Sequence, residues 1–281
     1  MFQSVSAFCN AGFSLQTDSI MMFRSDPIAL GAHAALIVLG GLGFVVLAWL
    51  WWRVIRRDRS RASVQVRVVL ISSAVLVLVG GVAYAALEWN ETLAGLSPGD
   101  RLLNAFFQSV SMRTAGFNSV DLSTMRPATI LLTIVLMFIG ASPGGTGGGI
   151  KTTTVAVLGA AIPEIVGTRR GTTLLGRMVP TATLQRAASI AVVATVTMVL
   201  ALFVLLATED APFEVLAFET VSALGTVGLS LGITGTLTAT GKCVIIATMF
   251  IGRVGPLTLA LALGERSRSH VGYPETRIMV G

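Results

Sequence analysis

Phe107-Gln-Ser-Val-Ser-Met-Arg-Thr-Ala-Gly-Phe117 decides how the 281 residues are read, because close versions of it occur twice more. Phe2-Gln-Ser-Val-Ser-Ala-Phe-Cys-Asn-Ala-Gly-Phe13 precedes it and Phe218-Glu-Thr-Val-Ser-Ala-Leu-Gly-Thr-Val-Gly-Leu229 follows it, the middle copy being a residue shorter before its glycine. Self-similarity at a long, regular period marks a repeat architecture. Each copy opens with about nine mildly apolar residues, for example 103–111, too few to cross a bilayer. Such a segment reads as a re-entrant half-helix that dips into the membrane and turns back at the glycine. Non-helical backbone at that depth is tolerated only where protein or a watery cavity surrounds it, so the turn points to a pore.

Outward from these segments lie apolar runs of roughly 20 residues, the length of a helical membrane span. Five are predicted, at 28–52, 68–87, 128–166, 187–207 and 241–263. The third is too long for one span and contains Pro143 among glycines, which predicts two half-helices joined by a break. Spans three and five share Met137-Phe-Ile-Gly140 and Met249-Phe-Ile-Gly252, which supports true repetition. The expected fold is an all-α integral membrane protein built from span–pore-loop–span units. It divides as 1–66 (a pore loop and a span), 67–178 (a full unit with the glycine-rich break) and 179–281 (a further unit and the C-terminal tail).

Composition agrees. Hydrophobic residues make up 53% and charged residues 12%, mean hydropathy is +0.80, and a soluble chain carries about twice that charge. Cys9 and Cys243 are too few and too far apart for a disulfide framework or a metal cluster, and His33 and His270 have no partners at ligand spacing. A membrane-embedded enzyme finds no convergent nucleophile, base or metal ligands here, so no catalytic residues are expected. The net charge of +6 suggests nucleic acid until its distribution is considered. The segments after spans one, three and five hold thirteen arginines against four acids, and the opposite segments hold nine acids against three arginines. Arginine-rich short loops stay in the cytoplasm, so the C-terminus is expected inside and the N-terminus outside, in a multi-pass plasma-membrane protein with no nucleic-acid partner. The arginines of 53–67 can also meet anionic lipid headgroups or a cytosolic partner, although topology alone accounts for them.

The chemistry available at the turns is backbone carbonyl oxygen. Asn10-Ala11-Gly12, Thr114-Ala115-Gly116 and Thr226-Val227-Gly228 place small residues where extended backbone can direct carbonyls to one axis, with glycine permitting the φ values required. Rings of such carbonyls replace the hydration shell of a monovalent cation such as potassium. Close helix packing is the alternative use of these glycines, and three copies at matching places favour the filter. The run Gly144-Gly-Thr-Gly-Gly-Gly-Ile-Lys-Thr152 is no nucleotide loop: Ile150 separates Lys151 from the last glycine, and the run interrupts an apolar span instead of following a strand.

At these residues the chain resembles the Trk/Ktr/HKT superfamily of potassium transporters, and most closely the membrane subunit of the Ktr type. Thr114-Ala-Gly-Phe-Asn118, 138–154 and Phe250-Ile-Gly-Arg-Val-Gly-Pro-Leu-Thr258 carry the resemblance, which covers essentially the whole chain. It implies four span–pore-loop–span units around one pore, of which three loops are present here, with filter glycines Gly12, Gly116 and Gly228. The chain is therefore expected to be a C-terminal portion lacking the first repeat, and a non-conducting fragment or one part of a split transporter stands as the alternative to potassium uptake. The resemblance further implies an intramembrane gate at Ser142, Pro143, Gly144, Gly145, Thr146, Gly147, Gly148 and Gly149. It also implies a homodimer with one pore per protomer and a cytosolic nucleotide-binding ring docked on the basic face. No cofactor is expected beyond the transported potassium ion, and the filter leaves a channel-like conductor and a sodium- or proton-coupled symporter both open.

Charges within a membrane span are costly and usually functional. Arg253, one residue past the glycine that matches Gly140, would repel permeant cations and bond gate carbonyls, a position at which the family has a matching arginine. Lys151, just past the gate, is a weaker candidate. Arg113 is expected to face away from the pore and to pair behind the filter with Glu219. Lys242 sits at a helix end and is expected to snorkel.

Overall fold

The structure, a computed structural model, describes residues 1–57, 61–168 and 171–255. The first repeat segment is the short helix α1 (Phe2–Phe8), followed by a 3-10 turn (Met21–Phe23), then by α2 (Pro27–Leu42) and α3 (Phe44–Val54). The next helices are α4 (Val64–Glu88), α5 (Pro98–Ser111), α6 (Pro127–Phe138) and α7 (Thr152–Ile165). A small antiparallel hairpin, β1 (Thr173–Leu174) and β2 (Arg177–Met178), pairs Thr173 with Met178. It leads to α8 (Thr181–Thr208), α9 (Phe213–Leu224) and α10 (Ala239–Val254). The architecture is all-α, and α1, α5 and α9 carry the three repeat segments.

Helix starts follow from local chemistry. Asp26 accepts from the amides of Ile28 and Ala29 ahead of α2, Ser63 from Val66 ahead of α4, Ser97 from Asp100 ahead of α5 and Thr238 from Gly241 ahead of α10. Each side chain satisfies amides that the first turn leaves without partners. Pro27, Pro98 and Pro127 stand at first helical positions, where a missing N–H costs nothing. The cap at Ser97 extends α5 to fourteen residues, longer than the half-helix expected at 103–111.

Among the described residues only α4 and α8, of 25 and 28 residues, are long and apolar enough to cross a membrane unaided. The run 28–52, expected as one span, is instead broken: α2 and α3 meet at 112° around Gly43, whose φ is +86°. The break is stable because the freed Phe44 amide donates to the carbonyl of Gly144 at 3.2 Å. The run 128–166 divides into α6 and α7 around residues 139–151. Helix α10 ends at Val254, and the remainder of the 241–263 run, like His270 and the arginines at 59, 169, 170, 266, 268 and 277, lies outside the described residues.

The short helices are enclosed by the long ones. On α4, a side chain at Gly80 would collide with Ser109 and one at Gly81 with Phe106, so the two glycines let α5 pack directly on the span. Ser109 Oγ uses that proximity to donate to the Val77 carbonyl at 2.9 Å, relieving a buried hydroxyl. Phe107, Met112, Met137 and Phe218 are buried around these helices, whereas Val192, Leu200 and Phe203 of α8 are exposed, as befits a lipid-facing span. The loops between α4, α5 and α6 are tied by Glu88. Its Oε1 accepts from the Arg126 amide at 3.0 Å and from Thr129 Oγ1 at 2.5 Å, and its Oε2 from the Thr92 amide at 3.2 Å.

Candidate functional site

After each short helix the chain takes the same path. The first residue of each tripeptide has positive φ, at 49° for Asn10, 75° for Thr114 and 51° for Thr226, and so does each glycine, at 71° for Gly12, 81° for Gly116 and 95° for Gly228. Left-handed backbone at a β-branched threonine is unusual and requires support from its surroundings. The support is a recurring bond: the Ala11 amide donates to the Ser6 carbonyl at 2.9 Å, Ala115 to Ser111 at 2.9 Å and Val227 to Ser222 at 2.8 Å. Those three serines occupy one position of the repeat. In the middle copy the bond closes over one residue fewer, which absorbs the deletion seen in the sequence. Serine hydroxyls fasten two of the turns further, Ser111 Oγ to the Phe117 carbonyl at 2.6 Å and the Gly228 amide to Ser222 Oγ at 3.2 Å.

The tripeptides meet one another. A methyl group on Gly12 would lie 2.7 Å from the Ala115 carbonyl oxygen, and one on Gly116 would collide with the Val227 carbonyl oxygen. Asn10 lies 3.4 Å from Thr114 Oγ1 through its side-chain amide. Gly228 differs: it is exposed, and a methyl group there would meet only the Gly116 Cα, at 3.9 Å. The nine candidate filter residues therefore form one cluster, open on the side of Gly228.

The glycine-rich segment lies directly against this cluster. A side chain at Gly147 would collide with Thr114 Oγ1 and one at Gly148 with Thr226 Oγ1, and the Gly148 amide donates to Thr226 Oγ1 at 3.1 Å. Thr146 Oγ1 donates to the carbonyl of Phe8, the last residue of α1, at 3.2 Å. The neck of the segment is held by Gly140 N to Ile150 O at 2.9 Å, Ile150 N to Phe138 O at 3.1 Å and Ala141 N to Gly148 O at 3.2 Å. Ser142 and Thr152 share a buried hydroxyl pair at 2.9 Å. Two cations reach the tip: Arg253 Nη1 donates to the Thr146 carbonyl at 2.5 Å and Lys151 Nζ to the adjacent Gly147 carbonyl at 2.7 Å.

The sequence does not single out residues 40–43, yet they hold the same segment. Ser142 N donates to Gly41 O at 3.0 Å and Thr146 N to Gly40 O at 3.1 Å. A side chain on Gly40 would overlap the Phe8 carbonyl, and one on Gly252 would overlap the Leu224 carbonyl. Phe8 and Leu224 match in the repeat, so Gly40 stands to α1 as Gly252 stands to α9. The available signal was Gly40-Gly41-Leu42-Gly43 inside an apolar run, a breaker cluster in the span that matches Gly140 and Gly252.

The expected pairing of Arg113 with Glu219 is absent. Arg113 is buried behind the cluster, where Nη1 and Nη2 approach the Ser73 carbonyl at 3.4 Å and its Oγ at 3.3 Å, while Glu219 Oε1 accepts from Thr234 Oγ1 at 2.5 Å. Packing sets a different polar group beside each charge, Ser73 for one and Thr234 for the other, and Arg113 Nε and Glu219 Oε2 stay buried without a partner. His33 bonds the Ala29 carbonyl at 2.7 Å between Phe23 and Phe117, and Lys242 bonds the Gly235 carbonyl at 3.2 Å. Among the described residues no three His, Cys, Asp or Glu side chains converge as a metal site.

Residues 1–269 match the TrkH family, described as a cation transport protein. The chain is 41% identical over 283 residues to the Ktr system potassium uptake protein B of Vibrio alginolyticus, covering 100% of this chain and 62% of that protein. It is 37% identical over 284 residues to the protein of the same name from Bacillus subtilis, covering 100% and 63%. It thus spans about three-fifths of the length of these curated relatives. A crystal structure of the potassium transporter TrkH from Vibrio parahaemolyticus shares the fold with a TM-score of 0.73 at 20% identity, covering 92% of this chain and 56% of that one.

Proposed function

Because the chain belongs to the TrkH family of cation transport proteins, which are transporters and not enzymes, we propose that it serves potassium uptake across the plasma membrane, with the three tripeptides as filter and residues 142–149 as gate. The observation that carries this proposal is the threefold recurrence of one local device: a short buried helix, a serine carbonyl that fixes the middle residue, and left-handed backbone on either side of it. Such a backbone can present carbonyls to a dehydrated potassium ion without side-chain chemistry. The relatives named Ktr system potassium uptake protein B point to the same cargo.

The gate follows from position. Residues 146–148 lie against the bases of the filter loops, so an ion leaving the filter meets them next. Opening means withdrawing the tip while the neck bonds at Gly140 and Ile150 stay closed. Arg253 and Lys151 oppose that withdrawal by holding successive carbonyls, and they repel a cation on the pathway. In this orientation the arginine-rich segments and the C-terminus are cytoplasmic. By its resemblance to the Ktr type the chain is proposed to form a homodimer and to carry a cytosolic nucleotide-binding ring on that face, with sodium a candidate coupling ion.

The open flank of Gly228 favours a second possibility, that the filter is completed by a further loop and this chain alone does not conduct. Growth of an uptake-deficient bacterium on limiting potassium separates the two. Rescue by this chain supports conduction through its own three loops. Failure to rescue, with the chain present in the membrane, favours the second possibility.

A further inference from the structure

A groove of about 490 Å³ runs between the first turns of α4, the flank of α7, the β1–β2 hairpin and the start of α8. Val64, Val68, Val157 and Ile190 make it mainly apolar. A second recess of about 650 Å³ adjoins it, sharing Val64 and Arg177 and adding Arg61 and Arg67. Arg186 lines the apolar part. Four guanidinium groups thus border one continuous hollow.

All four arginines are exposed, and among the described residues none of them has an ion-pair or hydrogen-bond partner. Glu164, the acid at the adjoining end of α7, is already engaged by the Thr172 hydroxyl. Clustered like charges repel one another, and guanidinium forks fit phosphate oxygens in pairs. A free anion would satisfy the arginines and leave the apolar groove empty, whereas a hydrocarbon chain alone would do the opposite. An amphiphile with one anionic head and apolar tails satisfies both. Depth agrees: α4 and α8 cross the bilayer, and the hollow lies within roughly 15 Å of their first residues, where headgroups meet acyl chains.

We propose that this hollow binds an anionic phospholipid, with its phosphate on Arg61, Arg67 and Arg177, Arg186 at the rim, and one acyl chain along Val68, Val157 and Ile190. The bound lipid joins α7, the helix directly after the glycine-rich segment, to α4 and α8. The site rests on the membrane reading alone; the orientation proposed above only decides that the lipid belongs to the cytoplasmic leaflet.

The test is native mass spectrometry of the full chain in mild detergent, titrated with phosphatidylglycerol or phosphatidylcholine of the same acyl chains. Phosphatidylglycerol should be retained one per chain and at least about tenfold more tightly, because phosphatidylcholine carries the same phosphate but adds a choline cation that the four arginines repel. Arg67→Gln with Arg177→Gln should reduce its retention to the phosphatidylcholine level, and Arg67→Lys with Arg177→Lys should recover part of it, which separates lost charge from lost folding. Val157→Trp, which fills the groove and keeps every arginine, should weaken both lipids. Equal retention of the two lipids, unchanged retention in the glutamine variant, or displacement by excess inorganic phosphate would overturn the proposal. So would a dimer that closes the hollow and retains no lipid. Potassium flux enters none of these readouts, so the result stands apart from the transport function.

Discussion

Arg253, in the last turn of α10, donates to the carbonyl of Thr146 at 2.5 Å across 107 residues of sequence. Lys151 holds the next carbonyl, that of Gly147, at 2.7 Å. Hydrogen bonds from charged donors contribute about 1.5–3 kcal/mol, so Arg253→Ala should raise the population of the withdrawn gate by about tenfold or more. Rubidium flux into proteoliposomes should rise accordingly, and Lys151→Ala should act in the same direction. Because both cations grip one segment, the double variant should fall short of the product of the two. Unchanged or lower flux in Arg253→Ala would remove the gate assignment.

Gly40 and Gly31 lie on the same helix and predict opposite results. A methyl group at Gly40 would run into the carbonyl of Phe8, a backbone atom that cannot turn aside, whereas nothing lies within 4 Å of one at Gly31. Gly40→Ala should destabilise the protein by about 1–3 kcal/mol, the usual cost of overpacking. Gly31→Ala should stabilise it by about 0.5–1 kcal/mol through helix propensity. Thermal unfolding in detergent checks both, and a tolerated Gly40→Ala would contradict the close approach of α2 to α1.

This contrast also marks how far the sequence could be read. The repeat built on Ser6, Ser111 and Ser222 and the turns at Gly12, Gly116 and Gly228 were legible because one local pattern recurs, and the break around Pro143 because proline and glycines interrupt an apolar run. The bend at Gly43 was not, since 28–52 has the length and hydropathy of one uninterrupted span. What breaks it is a partner about a hundred residues away, the Gly144 carbonyl that takes the Phe44 amide. The partners of Arg113 and Glu219 were misjudged for a related reason. Register within a repeat places two residues at comparable depth, but the nearest polar group, Ser73 for one and Thr234 for the other, is decided by packing.

Glu88 is fully buried and accepts three hydrogen bonds, two of them from the start of α6. Glu88→Ala leaves those donors without an acceptor and should cost about 3 kcal/mol. Glu88→Gln, which keeps an acceptor oxygen, should cost less. Equal loss in both variants, measured by thermal unfolding, would show that charge and not hydrogen bonding holds these loops.

Glu209 ties the end of α8 to the start of α10. The Thr238 hydroxyl donates to its Oε1 and the Thr238 amide to its Oε2 at 3.0 Å. The hydroxyl bond above all, then the amide bond, hold its carboxyl below the ordinary value of 4.5. A depressed carboxylate stabilises the fold above its unfolded pKa and loses that contribution as pH falls through the folded value. The α10 terminus should therefore loosen only below about pH 4.5, visible as faster amide exchange at residues 239–242. Thr238→Val should shrink this acid step. An unaltered step in that variant would assign it to another group.

If carbonyls of the three tripeptides select potassium, competition for rubidium uptake reveals it most directly. In proteoliposomes containing the full chain, potassium should suppress rubidium entry at concentrations where sodium does not. Gly116→Ser should abolish that difference, because Gly116 has a φ of +81° and its missing side chain makes room for the Val227 carbonyl. Equal competition by sodium in the unaltered chain, or undiminished preference for potassium in Gly116→Ser, would contradict the account.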